Sequence, residues 1–126
     1  MTFLSKYCLV GVFLLTSPAA FAASDLISPK EAAAMNGSKT AVIVDVREDD
    51  EWNQHHIPGA IHIPLAQLND RLAELEPYKN SPIITQCHSG RRSAKAHLAL
   101  IAAGFTKVYD LEGGIQAWDE QELLTE

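Results

Sequence analysis

The chain predicts an α/β domain, a mostly parallel sheet covered by helices on both faces, and three observations carry that expectation. Strand-like apolar runs alternate with helix-like segments from residue 28 to residue 118, the order that builds parallel sheets. Two of those runs, residues 40–45 and 82–86, are largely apolar along their length, as in strands buried on both faces. Glycine and proline separate the segments at Gly37, Pro58-Gly59, Pro77, Gly104 and Gly113-Gly114, where turns and helix ends belong.

Taken in order, Ser28 is an N-cap, Pro29 fits a first helical turn and Glu31 closes a capping box, so a helix runs to Asn36 with Gly37 ending it. Residues 40–45 form a central strand ending in Asp45, and residues 48–54 a short helix. His56-Ile57-Pro58-Gly59-Ala60 is turn chemistry, followed by a short strand at residues 61–63. Leu65, Leu68, Leu72 and Leu75 recur at spacings of 3, 4 and 3, which predicts one buried helix face ended by Pro77. Residues 82–86 are the strand leading to Cys87, and residues 93–103 the next helix, with Gly104 as its left-handed cap. Residues 107–111 form another strand, and Gly113-Gly114 turns the chain into a last short helix around Trp118.

The first 22 residues stand apart. Lys6, an apolar run, and Ala20-Phe21-Ala22 at the end have the layout of a secretory signal cut before Ala23. A spanning helix needs roughly 20 apolar residues, and Pro18 interrupts this shorter run, so no stable membrane anchor is expected after cleavage. Export to the periplasm follows, with residues 23–126 as a single domain. Cys8 leaves with the signal, and Cys87 remains as the lone cysteine, unable to form an internal disulfide and a candidate reactive thiol.

The formal net charge is −6, and losing the signal removes a lysine and no acid. Nucleic acid is a poor partner for so acidic a chain. The basic cluster Arg91-Arg92-Lys95 sits beside Cys87, which points to a small anion as ligand. Cys87 itself falls where a strand ends and a helix begins. Unpaired helix N–H groups, the positive end of the helix dipole and Arg91 and Arg92 there favour a thiolate over a thiol. Because ligands of such sheets bind beyond the carboxyl ends of the strands, Asp45, Arg47 and the Cys87 loop share one edge.

Four ordered motifs carry a family resemblance: Val44-Asp45-Val46-Arg47, His56-Ile57-Pro58-Gly59-Ala60, Cys87-x-x-Gly90-x-Arg92-Ser93 and Gly113-Gly114-Ile115-Gln116-Ala117-Trp118. Together they resemble the rhodanese (thiosulfate sulfurtransferase) homology domain, in its single-domain exported type, over essentially the whole mature chain. The resemblance implies a five-stranded sheet and a six-residue active loop, residues 87–92, whose N–H groups converge on the cysteine sulfur. It implies that Cys87 is the catalytic nucleophile and carries a persulfide. His88, Ser89, Gly90, Arg91, Arg92 and Ser93 would bind the substrate, a small anionic sulfur donor such as thiosulfate, with cyanide or a thiol as acceptor. No cofactor is implied. Related phosphatases space cysteine and arginine by five residues, whereas four separate Cys87 from Arg92, which favours sulfur transfer over a phosphatase or arsenate reductase. A non-catalytic binding module is the other alternative, although such domains often lose the cysteine.

Other residues are expected in lesser roles. Asp45 and Arg47 are expected to pair and support the base of the loop. At least one of Arg91 and Arg92 should face the anion. His88 lines the entrance, and His55, His56 and His62 have no zinc-binding pattern. Many relatives carry glycine where His55 stands, so a positive φ there would make histidine costly.

Overall fold

The computed structural model describes residues 25–126. The signal segment and Cys8 lie outside the described residues. Five strands form one all-parallel sheet in the order β1-β5-β4-β2-β3. The strands are β1 (Leu26–Ile27), β2 (Val42–Asp45), β3 (Ile61–His62), β4 (Ile83–Gln86) and β5 (Val108–Leu111). The helices are α1 (Pro29–Gly37), α2 (Asp49–Gln54), α3 (Arg91–Ala102) and α4 (Gly114–Glu120). No helix among the described residues is long and apolar enough to cross a membrane.

Alternation along the central strands feeds two cores. Val44, Ile83, Cys87 and Val108 face one layer, built with Ala96 and Leu100 of α3, Leu68, Leu75 and Phe105. Ile43, Ile84 and Leu111 face the other, built with Ala32 of α1 and Ile115 and Trp118 of α4. Neighbouring strand residues such as Ile83 and Ile84 thus serve opposite layers, both fully buried, which explains why these strands read as unbroken apolar runs.

Three expectations need correction. The leucine run is not a regular α-helix: a 3-10 turn at Leu65–Gln67 leads into a 3-10 segment, Asn69–Tyr78, broken by non-helical geometry at Arg71 (φ −117°, ψ 15°). A 3-10 helix has three residues per turn, so it aligns Leu65 with Leu68 and Leu72 with Leu75, and the break at Arg71 absorbs the one spacing of four. Pro77 lies inside this segment rather than ending it. The helix after the cysteine begins at Arg91, two residues early, because Gly90 takes φ 112° as its N-cap. His55 is extended, at φ −168°, so histidine carries no backbone cost there.

The edge strand β1 was not anticipated. Two residues are too few for a periodic signal, and pairing with β5 through Leu26↔Asp110 and Ile27↔Leu111 defines it.

Candidate active site

From β2 the chain moves outward to β3, returns to β4, and then moves out the other way to β5. That reversal between β2 and β4 opens a crevice beyond their carboxyl ends, where Asp45 and Cys87 lie. Residues 87–90 arch from β4 into α3, and the chain re-enters helical geometry only after Gly90, whose left-handed φ is the conformation a side chain resists.

Cys87 is 1% exposed. Its Sγ accepts a hydrogen bond from the Gly90 N–H at 3.1 Å and lies 3.4 Å from the Ser93 hydroxyl. Outside the loop, α4 presents its first amides: Ile115 N–H donates to the Cys87 carbonyl at 2.9 Å and Gln116 N–H to the His88 carbonyl at 3.0 Å. Carbonyls therefore point outward to α4 while the Gly90 N–H points inward to sulfur. A Cβ on Gly114 would stand 2.3 Å from the His88 carbonyl oxygen and 2.6 Å from that of Cys87. Only glycine permits this approach.

The two arginines separate. Arg92 makes a two-pronged pair with Glu51 of α2, at 2.5 and 2.9 Å. The hydrogen bond from Arg92 holds the Glu51 carboxyl down to about 2, against the opposing effect of burial. Glu51 likewise raises Arg92 above the ordinary arginine range. Arg92 is thus a permanent cation on the first turn of α3, at the end of the cysteine loop and committed to a carboxylate, while Arg91, His88 and Ser89 are exposed.

Behind this pair stands another. Arg47, 2% exposed, grips fully buried Asp45 through Nη2–Oδ2 at 2.7 Å and Nε–Oδ1 at 3.0 Å. The same guanidinium donates to the carbonyls of Glu51 and His55 at 3.3 and 2.9 Å. Asp45 and Arg47 therefore lock α2 to the end of β2, α2 carries Glu51, and Glu51 holds Arg92 at the loop.

The histidines are used elsewhere. The Trp52 indole is sandwiched between His56 and His62, with ring centroids 3.7 and 4.7 Å away, and His55 pairs with Asp119 at 2.8 Å. No group of three His, Cys, Asp or Glu gathers as a metal site among the described residues. Two contributors to the site were missed from the sequence. Glu51 is one acid among several on a short helix, 41 positions from its partner, and nothing local marks it. The role of α4 did have a signal: a double glycine directly before a helix fits a close backbone approach.

The rhodanese-like domain family model matches residues 28–121. The putative sulfur carrier protein YrkF of Bacillus subtilis is 43% identical over 76 residues, covering 60% of this chain but only 40% of that protein. The thiosulfate sulfurtransferase GlpE of Pseudomonas savastanoi pv. phaseolicola is 33% identical over 92 residues, covering 73% of this chain and 84% of GlpE. Among solved structures, a rhodanese-related protein from Thermoplasma volcanium superimposes with a TM-score of 0.72 at 30% identity, covering 79% of this chain and 95% of that one. With the five-stranded parallel sheet and the cysteine loop at its carboxyl edge, these matches establish that the chain belongs to the rhodanese-like domain family.

Proposed function

We propose that the protein is a sulfurtransferase that carries sulfane sulfur on Cys87. The supporting observation is the sulfur's setting: the Sγ of buried Cys87 lies 3.1 Å from the Gly90 N–H, with Arg92 fixed by Glu51 at the end of the loop. Such donors stabilise a thiolate and a persulfide alike, because each is a sulfur anion. In the reaction, the Cys87 thiolate attacks the outer sulfur of thiosulfate; an S–S bond forms, and the bond to the sulfonate sulfur breaks. Sulfite leaves with the electron pair, and the negative charge stays on the persulfide until cyanide or a thiol removes the outer sulfur. Arg91, exposed at the rim, attracts the donor anion and Ser93 borders the reacting sulfur, while His88 and Ser89 form the entrance.

The test is intact-mass spectrometry of the protein with and without thiosulfate, beside Cys87→Ser, paired with thiocyanate release on adding cyanide. A one-sulfur adduct on wild type alone, discharged by cyanide, is the expected result. A folded, reduced protein that takes up no sulfur and releases no thiocyanate would overturn the proposal in favour of a binding module.

The same proposal places the mature domain, residues 23–126, in the periplasm after removal of residues 1–22. Fractionation of expressing bacteria, with N-terminal sequencing of the periplasmic product, should give a chain beginning at Ala23. Retention of Met1 in a cytoplasmic fraction would refute export.

A further inference from the structure

The strand that leads to the cysteine ends on a polar side chain with no exposure. Gln86 closes β4 after Ile83, Ile84 and Thr85 and is fully buried. Side chains alternate along a strand, so Gln86 points to the same layer as Ile84, the layer of Ile115 and Trp118 of α4. There its Nε2 donates to the Cys87 carbonyl at 3.0 Å, while its Oε1 is buried and finds no partner among the described residues. A buried amide oxygen without a partner lowers stability. An unbranched apolar side chain of that length would fill the place with nothing left unpaired. Packing therefore does not account for a glutamine here, and the bond to the Cys87 carbonyl does.

That carbonyl sets the tilt of the first peptide of the loop. It accepts from two directions, from Gln86 Nε2 at the end of β4 and from the Ile115 N–H of α4 at 2.9 Å, one donor for each lone pair. The Cys87-His88 peptide is trans and planar, so its N–H points opposite to its carbonyl. With the carbonyl held towards α4, the His88 N–H is turned to the concave side of the loop, where the Gly90 N–H meets Sγ at 3.1 Å. The Ile115 bond alone would let the peptide plane rock about that one contact. A second donor, on a strand paired on both sides, stops it.

We propose that Gln86 is a positioning residue for the sulfur carried on Cys87: by fixing the Cys87 carbonyl, it aims the His88 N–H at the negatively charged outer sulfur of the persulfide. The inference rests on the sulfurtransferase reading and adds to it the side chain that orients the loop. Gln86 is bonded to neither Sγ nor Gly90. Its influence falls on the outer sulfur, one bond beyond Sγ, while Sγ keeps the N–H of Gly90. The amide thus lowers the stability of the fold and raises that of the persulfide state.

Unloading by sulfite measures this directly. Sulfite takes the outer sulfur, the S–S bond of the persulfide breaks, thiosulfate forms and the Cys87 thiolate is left with the electron pair. At a fixed ratio of thiosulfate to sulfite, intact-mass spectrometry therefore reads how well the outer sulfur is held. Gln86→Met keeps an unbranched side chain and removes the donor. Its ratio of persulfide to free cysteine should fall about threefold to tenfold below that of wild type, the effect of one hydrogen bond. Its midpoint in urea should be equal or higher, because the orphaned oxygen is gone and the Cys87 carbonyl keeps Ile115. Alkylation of Cys87 by iodoacetamide should match wild type, because Gly90 still faces Sγ. A merely structural amide would not separate loading from stability and thiol reactivity in this way.

Equal loading of Gln86→Met and wild type would overturn the proposal and leave the sulfurtransferase reading intact. A parallel change in loading and alkylation would overturn it as the mark of a loosened loop. So would a loss of stability in both Gln86→Met and Gln86→Leu, which would make the amide structural. A wild type that takes up no sulfur would refute the sulfurtransferase reading, and this proposal with it.

Discussion

Replacing Gly114 by alanine should damage the protein at one point and for a calculable reason. The added Cβ would meet the His88 carbonyl oxygen at 2.3 Å, the His88 carbonyl carbon at 2.5 Å and the Cys87 carbonyl oxygen at 2.6 Å. All three are backbone atoms, so no side-chain rotation relieves the overlap. Gly114 also has φ +63°, a conformation that costs an L-residue about 1–2 kcal/mol. Relief requires α4 and the loop to part, which gives up the bonds from Ile115 and Gln116 at about 0.5–1.5 kcal/mol each. The loss should be about 2–5 kcal/mol, a large fraction of the roughly 5–15 kcal/mol that holds such a domain together. Urea titration followed by circular dichroism measures it, with Gly37→Ala as comparator. A Cβ on Gly37 meets nothing within 4 Å, and alanine is the better helix residue, so that variant should be neutral or slightly stabilised. If Gly114→Ala loses less than about 1 kcal/mol, the loop is not held against α4 as described.

Three further outcomes follow from the pairs around the loop. Asp45→Ala leaves the Arg47 charge buried and unpaired, and should cost about 3–5 kcal/mol in the same urea assay. Glu51 has a folded value near 2 against an ordinary 4.5. Its contribution is therefore complete above pH 4.5, falls as pH drops towards 2 and is absent below. Partial exposure of both partners reduces this to about 1–2 kcal/mol, so Glu51→Gln should track wild type at pH 2 and lie below it at pH 6; equal stability at both would refute the assignment. On the proposed function, Arg91→Ala should raise KM for thiosulfate about threefold to tenfold with little change in kcat, because an exposed cation would attract the donor without touching sulfur. A loss confined to kcat would place Arg91 at the reacting atoms instead.

Local chemistry was legible in the chain. Ser28 accepts from the Glu31 N–H at 3.2 Å, the N-cap half of the anticipated capping box, while the returning bond from the Glu31 side chain does not form, and the apolar runs at Ile43-Val44 and Ile83-Ile84 became the central strands. Asp45, Arg47 and Cys87 meet at one edge because parallel topology gathers strand ends. What escaped depends on distance or competing geometry. The leucine stripe announces a buried face, but its two spacings of 3 suit 3.0 residues per turn as well as 3.6, and only the break at Arg71, which absorbs the spacing of four, shows that the segment is 3-10. Glu51 meets Arg92 across the fold, from a segment that shares no periodicity with α3, so only the assembled fold brings them together. The choice between Arg91 and Arg92 turned on the same hidden partner.

The orientation of the loop's peptide groups has a consequence for how the domain can change over time. Inward N–H and outward C=O are set by main-chain contacts, from Gly90 to sulfur and from Ile115 and Gln116 to the carbonyls. None of these bonds uses the side chains of His88, Ser89 or Arg91, all exposed. Those three positions are thus free to vary while the Cys87 sulfur keeps its surroundings. A library randomised there should yield mostly folded proteins that differ in which sulfur compounds they admit, as a socket keeps its wiring when its faceplate is exchanged.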